Sequence, residues 1–234
     1  MDIILFIFII LIASTLQTST GFGFSILATP FLMLLFQPAE AIQINLILSF
    51  VISVALFAKI KQDIHIGMLK RLLIGSVVSL PLGMFLFLLF DLSKLKLGMS
   101  VVILSLTLML VLNFRFKQTK RRDFIVGGLS GLLTTSIGMP GPPLLLYFAG
   151  THTQKAMVRS TTLAFYLVIY LLSVGIQMSY ASTTKTTLRS GGLALPLVFI
   201  GMLVGQRLFK RISERYFQIA LYAILVFTGL YLLF

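Results

Sequence analysis

The chain has 234 residues, 58% of them apolar and only 11% charged, with a mean hydropathy of +1.06. A soluble chain carries about a quarter charged residues, so an ordinary soluble domain is excluded. The absence of cysteine excludes disulfides and cysteine-based metal or redox chemistry. The net charge of +13 would suggest nucleic acid in a soluble protein; in a membrane protein it marks the cytoplasmic loops, and no nucleic-acid partner is expected.

Residues 2–36 form a broken hydrophobic segment. Ile3 to Ala13 is apolar, with no basic stretch ahead of it and no small-residue cleavage site, so it reads as mature protein. Then "LQTSTGFGFSILATP" (16–30) places small and polar residues where a membrane helix has no obvious use for them. The apolar remainder, Phe24 to Phe36, is 13 residues, or about 20 Å of helix, too short to cross alone. Three apolar runs long enough to span the bilayer follow, over 40–58, 67–90 and 96–114.

A basic linker, 115–123, separates this first repeat (1–114) from a second (124–234) that opens with another broken segment, 124–150. There Phe124 to Leu133 is followed by "TTSIGMPGPP" and then only "LLLYFAG". Further spans are expected over 155–180, 188–209 and 216–234. The broken segments match: "TSTGFG" (18–23) over "TSIGMP" (135–140) aligns Thr18 with Thr135, Ser19 with Ser136 and Gly21 with Gly138. "EAIQINLIL" (40–48) falls opposite "KAMVRSTTL" (155–163). The order of features indicates an internal duplication.

The expected fold is therefore an all-α polytopic membrane protein of two inverted repeats, each a broken, re-entrant helical segment plus three transmembrane helices. If each broken segment turns back, Lys and Arg divide 15 to 4 between the faces; if each crosses once, as a kinked helix, they divide 11 to 8. The positive-inside rule prefers the sharper split. It puts 115–122 in the cytoplasm and both ends of the sequence outside, in a multi-pass protein of the inner (cytoplasmic) membrane.

Backbone that leaves the helix in hydrocarbon needs partners, and is tolerated only where buried in protein or lining a cavity. Two inverted breaks are expected to meet near the bilayer midplane and present free N–H groups and positive dipole ends to an anion. Candidate binding residues are Ser19, Thr20, Gly21, Gly23, Ser25, Ser136, Gly138 and Gly141. Asn45 joins them from the first half, and Arg159, about one turn into its span, is the natural partner for a negative charge. The bland alternative is that Ser, Thr and Gly simply allow close helix packing. No acidic residue falls inside an expected span, so no buried carboxylate relay is foreseen.

Rival chemistries fare worse. "GLSG" (128–131) matches a G-x-S-G protease pattern with Ser130 as nucleophile, but the only histidines, His65 and His152, read as loop residues. Two isolated histidines are too few for a metal site, and no G-x-x-x-x-G-K-[ST] loop is present. The chain is expected to be no enzyme and to hold no cofactor. A channel-like anion conduit and a non-transporting membrane assembly protein are the alternatives to a carrier; a channel lacks the expected charged ring or filter repeat.

"STGFGFSILATPFLMLLF" followed by "AIQINLILSF", and "GLLTTSIGMPGPPLLLYFAG" followed by "KAMVRSTTL", resemble the sulfite-exporter (TauE/SafE) family. That family carries a glycine-rich G-x-G-G-G…P segment near the start of each half. Here the triple glycine is reduced to "GFGFS" and "GMPGPP", which puts the shape of the pocket, and so the substrate, in question. The resemblance implies a secondary transporter of a small anion: sulfite, a sulfonate, or a related organosulfur or carboxylate compound. A coupling proton or ion, the direction of transport and the oligomeric state are left open.

Overall fold

The structure, a computed structural model, describes residues 2–112, 117–151 and 153–211, together with isolated positions 213, 216, 219, 223, 226 and 230. Most of the expected span 216–234, the last residues of the span 96–114, and His152 lie outside the described residues. The first broken segment is α1 (Ile3–Thr20) and α2 (Phe24–Leu32). The helices α3 (Pro38–Ile60), α4 (Ile66–Leu89) and α5 (Leu92–Val111) follow. In the second half, α6 (Lys120–Ile137) and α7 (Gly141–Gly150) form the broken segment, before α8 (Lys155–Tyr180) and α9 (Lys185–Arg211).

Local chemistry sets these limits. Asp2 caps α1 by accepting from the Leu5 N–H, His65 caps α4 through the Met68 N–H, and Thr119 caps α6 through the Arg122 N–H. Gln37 and Glu40 close a capping box at α3, with Pro38 in the first turn. At the breaks, α1 and α6 both end on a left-handed glycine, Gly21 (φ 81°) and Gly138 (φ 72°), the conformation that closes a helix and that side chains resist.

Each broken segment enters and turns back. The ring of Phe36, just past α2, meets that of Phe6 near the start of α1 at 5.8 Å. In the second half the Tyr147 hydroxyl on α7 reaches Asp123, in the first turn of α6, at 2.6 Å. A single kinked crossing would put the members of each pair far apart along the membrane normal.

The halves then interlock. Leu72, Ser76 and Leu80 of α4 meet Gly127, Gly131 and Thr135 of α6 in rising order: the Ser76 hydroxyl donates to the Gly127 carbonyl (2.6 Å) and the Thr135 hydroxyl to the Leu80 carbonyl (2.7 Å). The two helices are therefore parallel. So are α1 and α9, where Gly201 lies against Leu11 and Ser14, and Gly205 against Thr15 and Thr18. In each pairing the long first helix of a broken segment lies beside a helix from the other half of the sequence. Between the pairs, α3 and α8 run antiparallel: the Gln43 amide reaches the Ala181 carbonyl (3.4 Å) at one end, and the His65 N–H the Thr161 hydroxyl (3.1 Å) at the other.

Close approach of the parallel pairs depends on glycine. A Cβ on Gly127 would collide with the Leu72 carbonyl, and one on Gly131 with that of Ser76, both fixed by the helix they belong to. We expect Gly127→Val and Gly131→Val each to lower stability by about 3 kcal/mol, the upper end of overpacking costs, read as a fall in the unfolding temperature of detergent-purified protein.

These pairings set α1, α3, α4, α6, α8 and α9 along one axis, some running up it and some down. One face carries the α3–α4 turn, the start of α6, the start of α8 and the end of α9, with Lys59, Lys61, Lys117, Lys120, Arg121, Arg122, Lys155, Arg207, Lys210 and Arg211. We call it the basic face; Lys94, Lys185 and Arg189 lie towards the other. Many large apolar side chains point outward, among them Val78 (77% exposed), as expected of a surface that meets lipid.

One expectation needs correction. The two breaks do not face each other at mid-depth. Gly21 packs on the backbone of Arg159, and Gly138 on Ile42 and Asn45. Arg159 and Ile42 each lie four residues from the start of their helix, about 6 Å along it. Each hairpin thus overshoots the middle. The physical reason is length: α1 and α6, at 18 residues, extend about 27 Å before they break. The returning helices α2 and α7 pass side by side instead, Phe22 against Phe148 (6.3 Å between rings) and Gly141 against Ile26.

Candidate functional site

Where α2 and α7 pass, α3 and α8 close the space around them. The first turn of any helix carries N–H groups with no partner inside the helix. In α2 these belong to Phe24, Ser25 and Ile26, the first carbonyl reached from within being Gly23 to the Leu27 N–H (3.0 Å). In α7 the matching turn contains Pro142 and Pro143, which lack the N–H altogether. The two breaks are therefore unequal: the donors of α2 are amides, while α7 must borrow side chains.

Two tyrosines stand beside the starts of these helices, Tyr166 at α7 and Tyr170 at α2. Tyr166 and Tyr170 lie one turn apart on α8, so both rings share one face (4.8 Å between centroids), and both are buried. The Tyr170 hydroxyl lies 3.4 Å from that of Ser25. The Tyr166 hydroxyl points at Gly141, where an added Cβ would come within 3.0 Å of it. It has no hydrogen-bond partner and its residue is 1% exposed. A buried hydroxyl without a partner costs roughly 1–3 kcal/mol on protein scales, and the Thr162 and Ser173 hydroxyls of the same helix share that condition.

A buried polar string links the site to the second tip. The Asn45 amide donates to the Gly138 carbonyl (2.7 Å), the Ser49 hydroxyl to the Asn45 side-chain oxygen (3.4 Å), and the Gln17 amide to the Ser49 carbonyl (3.2 Å). Gln177 donates to the Thr135 carbonyl (2.8 Å) in the last turn of α6. Breaking α6 frees carbonyls as well as amides, and Asn45 and Gln177 cover two of them.

The structure distributes the sequence candidates over four places. Ser25 and Gly141 stand at the α2–α7 contact. Gly138 and Asn45 hold the second tip. Gly21, Gly23, Ser19, Thr20 and Arg159 form the first. There the Ser19 and Thr20 hydroxyls turn back onto the Leu16 carbonyl (3.1 and 2.7 Å), and Thr20 also accepts from the Phe22 N–H (2.9 Å). Arg159 donates through Nε to the Thr18 carbonyl (2.8 Å), with its guanidinium over the Phe209 ring (4.3 Å). A cation there also complements the negative end of α1. Ser136 stands apart: its hydroxyl bonds the Leu132 carbonyl (2.7 Å), and it lines an apolar cleft between α4, α5 and α6 with Lys94 and Phe90.

Sequence reasoning missed Tyr166 and Tyr170, because an aromatic in an apolar span reads as core. Their spacing of four residues, beside "STT" (160–162), was the available signal. It also missed Asp123. Taken as an edge residue, Asp123 is fully buried in the first turn of α6, where its carboxylate accepts from Arg71 Nε (2.7 Å) on α4 and from the Tyr147 hydroxyl on α7. Asp123→Asn would leave Arg71 facing a neutral amide; we expect a loss of about 3 kcal/mol, measured by thermal unfolding, because the pair ties the re-entrant α7 to the α4–α6 scaffold.

This arrangement of paired re-entrant hairpins agrees with a sequence comparison: the model of the sulfite exporter TauE/SafE family matches residues 6–232, nearly the whole chain. The chain belongs to the TauE/SafE family. Comparison with curated proteins and with solved structures finds no match. TauE/SafE proteins are membrane transporters of sulfur-containing anions, and five of the described helices are long and apolar enough to span a membrane by length and composition. Among them is α1, which the Phe6–Phe36 contact shows to be half of a hairpin. TauE/SafE membership extends over both hairpins, so the α2–α7 contact and both tips lie within the matched region.

Proposed function

We propose that the chain is a secondary carrier that moves a small sulfur-containing anion, such as sulfite or a sulfonate, across the cytoplasmic membrane by alternating access. The anion is held between α2 and α7. The observation that carries this reading is the Tyr166 hydroxyl, buried without a partner beside the start of α7. An anionic oxygen there would accept from it, while the free amides and positive end of α2, with the Ser25 and Tyr170 hydroxyls, would take the other oxygens.

Ser25, Asn45, Ser49, Tyr166 and Tyr170 are each at most 1% exposed, so the site is shut and transport requires movement. The moving bodies are not the two halves of the sequence. Sliding one half past the other would tear α4 from α6 and α1 from α9, where glycines bring backbones into contact. The α1–α9 pair with α2, and the α4–α6 pair with α7, are the natural rigid units, hinging about α3 and α8. The basic face is placed inward by the positive-inside rule, and an interior-negative potential then favours anion exit by ~2.3 kcal/mol per charge per 100 mV.

Counterflow tests the reading. In proteoliposomes, labelled sulfite should accumulate transiently against unlabelled sulfite or a small sulfonate inside, with saturable rates. Flux without trans-acceleration would indicate a conduit, and no saturable flux of any of these anions would remove the transport reading.

A further inference from the structure

Breaking a helix creates a negative end as well as a positive start. The negative ends of α1 and α6 both meet α3. Gln17 stands in the last turn of α1, and its amide nitrogen donates to the Ser49 carbonyl on α3 (3.2 Å). A carbonyl only accepts, so the nitrogen end of this amide is fixed and its oxygen is the end left over. That oxygen has no hydrogen-bond partner, and Gln17 is fully buried. Asn45, one turn before Ser49, is oriented in the same way: its nitrogen donates to the carbonyl of Gly138, which closes α6 (2.7 Å). Its oxygen has the Ser49 hydroxyl at 3.4 Å, longer than the roughly 2.5–3.0 Å of an O–H···O bond. Gln43 and Gln177 also leave amide oxygens unpartnered. Gln17 differs because its amide, the Asn45 oxygen and the Ser53 hydroxyl all meet one residue, Ser49.

We propose that an alkali-metal cation binds here, between α1 and α3, on Gln17 Oε1, Asn45 Oδ1 and Ser49 Oγ, with water completing its shell. The chemistry of the set selects the ion. All three ligands are neutral oxygens, and both amides have their donor ends committed to backbone carbonyls. Such a set suits a hard monovalent cation, whereas calcium and magnesium draw on carboxylates. Neutral carbonyl oxygens replace water around potassium in channel filters, and helix ends that stop inside the membrane hold sodium in carriers. A cation also offsets the negative helix ends; at α6 the side chains on the Thr135 and Gly138 carbonyls are neutral amides, Gln177 and Asn45. The site stands apart from the anion reading, since neither Tyr166 nor the amides of α2 take part in it.

Thermal unfolding of detergent-purified protein tests this with no sulfur anion present. Sodium or potassium chloride replaces choline chloride at constant ionic strength. The unfolding temperature should rise with the concentration of sodium or potassium, as for any ligand that binds only the folded state. Ser49→Ala removes one ligand and leaves the main-chain carbonyl that Gln17 and Ser53 hold; Gln17→Met removes another, with Ser53 still on that carbonyl. Loss of a group that merely orients a ligand weakens metal sites about 10- to 100-fold. Each variant should therefore need at least about tenfold more cation for the same rise. Should Gln17→Met not fold, Ser49→Ala decides. Equal unfolding temperatures in choline, sodium and potassium chloride would overturn the proposal. So would the same rise in the wild type and the variants, or a larger rise with calcium. Each of those results leaves the α2–α7 anion site to be judged by counterflow.

Discussion

Gly21→Val should abolish anion flux while the protein still inserts into the membrane. Two costs coincide at this residue. Its φ of 81° is a left-handed conformation that costs about 1–2 kcal/mol for an ordinary side chain and more for a β-branched one. Its new Cβ would also lie 2.9 Å from the Arg159 Cα and 3.1 Å from the Arg159 carbonyl. Those are backbone atoms of α8, so relief requires α8 or the whole tip to move. Movement would pull the Thr18 carbonyl from Arg159 and shift the amides of Phe24 to Ile26, three to five residues on, out of the site.

Gly138→Val makes an informative comparison. The strain is similar (φ 72°), but the atoms it meets are the side chains of Asn45 (3.2 Å) and Ile42 (3.3 Å), which can turn aside. The expected order of lost flux is therefore Gly21→Val, then Gly138→Val, then Gly21→Ala, with flux in proteoliposomes and unfolding temperature measured on the same preparations. If Gly21→Val transports at the wild-type rate, the first tip has no part in shaping the site.

The breaks and the apolar, all-helical character of the chain were legible because they rest on strong local signals: glycine, proline and polar residues inside long apolar runs. Depth was not. Nothing in "TSTGFG" or "TSIGMP" states how far α1 and α6 run before breaking; that follows from where Gly201, Gly205, Gly75 and Gly83 of α9 and α4 let a second backbone approach. Those four lie in spans that read as plain transmembrane helices. Partner exchange between the halves was hidden for the same reason, since an apolar helix pattern reveals a buried face and not the helix that buries it. Asp123 was misread because its position near the end of a run suggested solvent, whereas the returning α7 covers it with Tyr147. The hydroxyls of Ser19 and Thr20 were expected to donate to an anion, but a helix end offers its own carbonyls, and both hydroxyls take that of Leu16.

Tyr166→Phe should weaken anion binding while leaving the empty protein as stable as before or slightly more so. The substitution removes one oxygen and keeps the ring, so the edge contacts with Phe22 (6.4 Å) and Tyr170 persist. In the empty protein that oxygen has no partner, and deleting an unsatisfied buried group relieves rather than adds cost. With an anion present the same oxygen donates to a charged acceptor, a bond of about 1.5–3 kcal/mol, or roughly a 10- to 100-fold rise in Kd. The two signs separate function from packing. A structural tyrosine would lose unfolding temperature on truncation and show no change in the sulfite concentration that half-protects the protein against heat; a binding tyrosine does the reverse. Tyr170→Phe calibrates the measurement, because its hydroxyl already has Ser25 at 3.4 Å and its loss should cost affinity and stability together. Should Tyr166→Phe bind sulfite and small sulfonates as tightly as the wild type, the space between α2 and α7 is not where the anion is held.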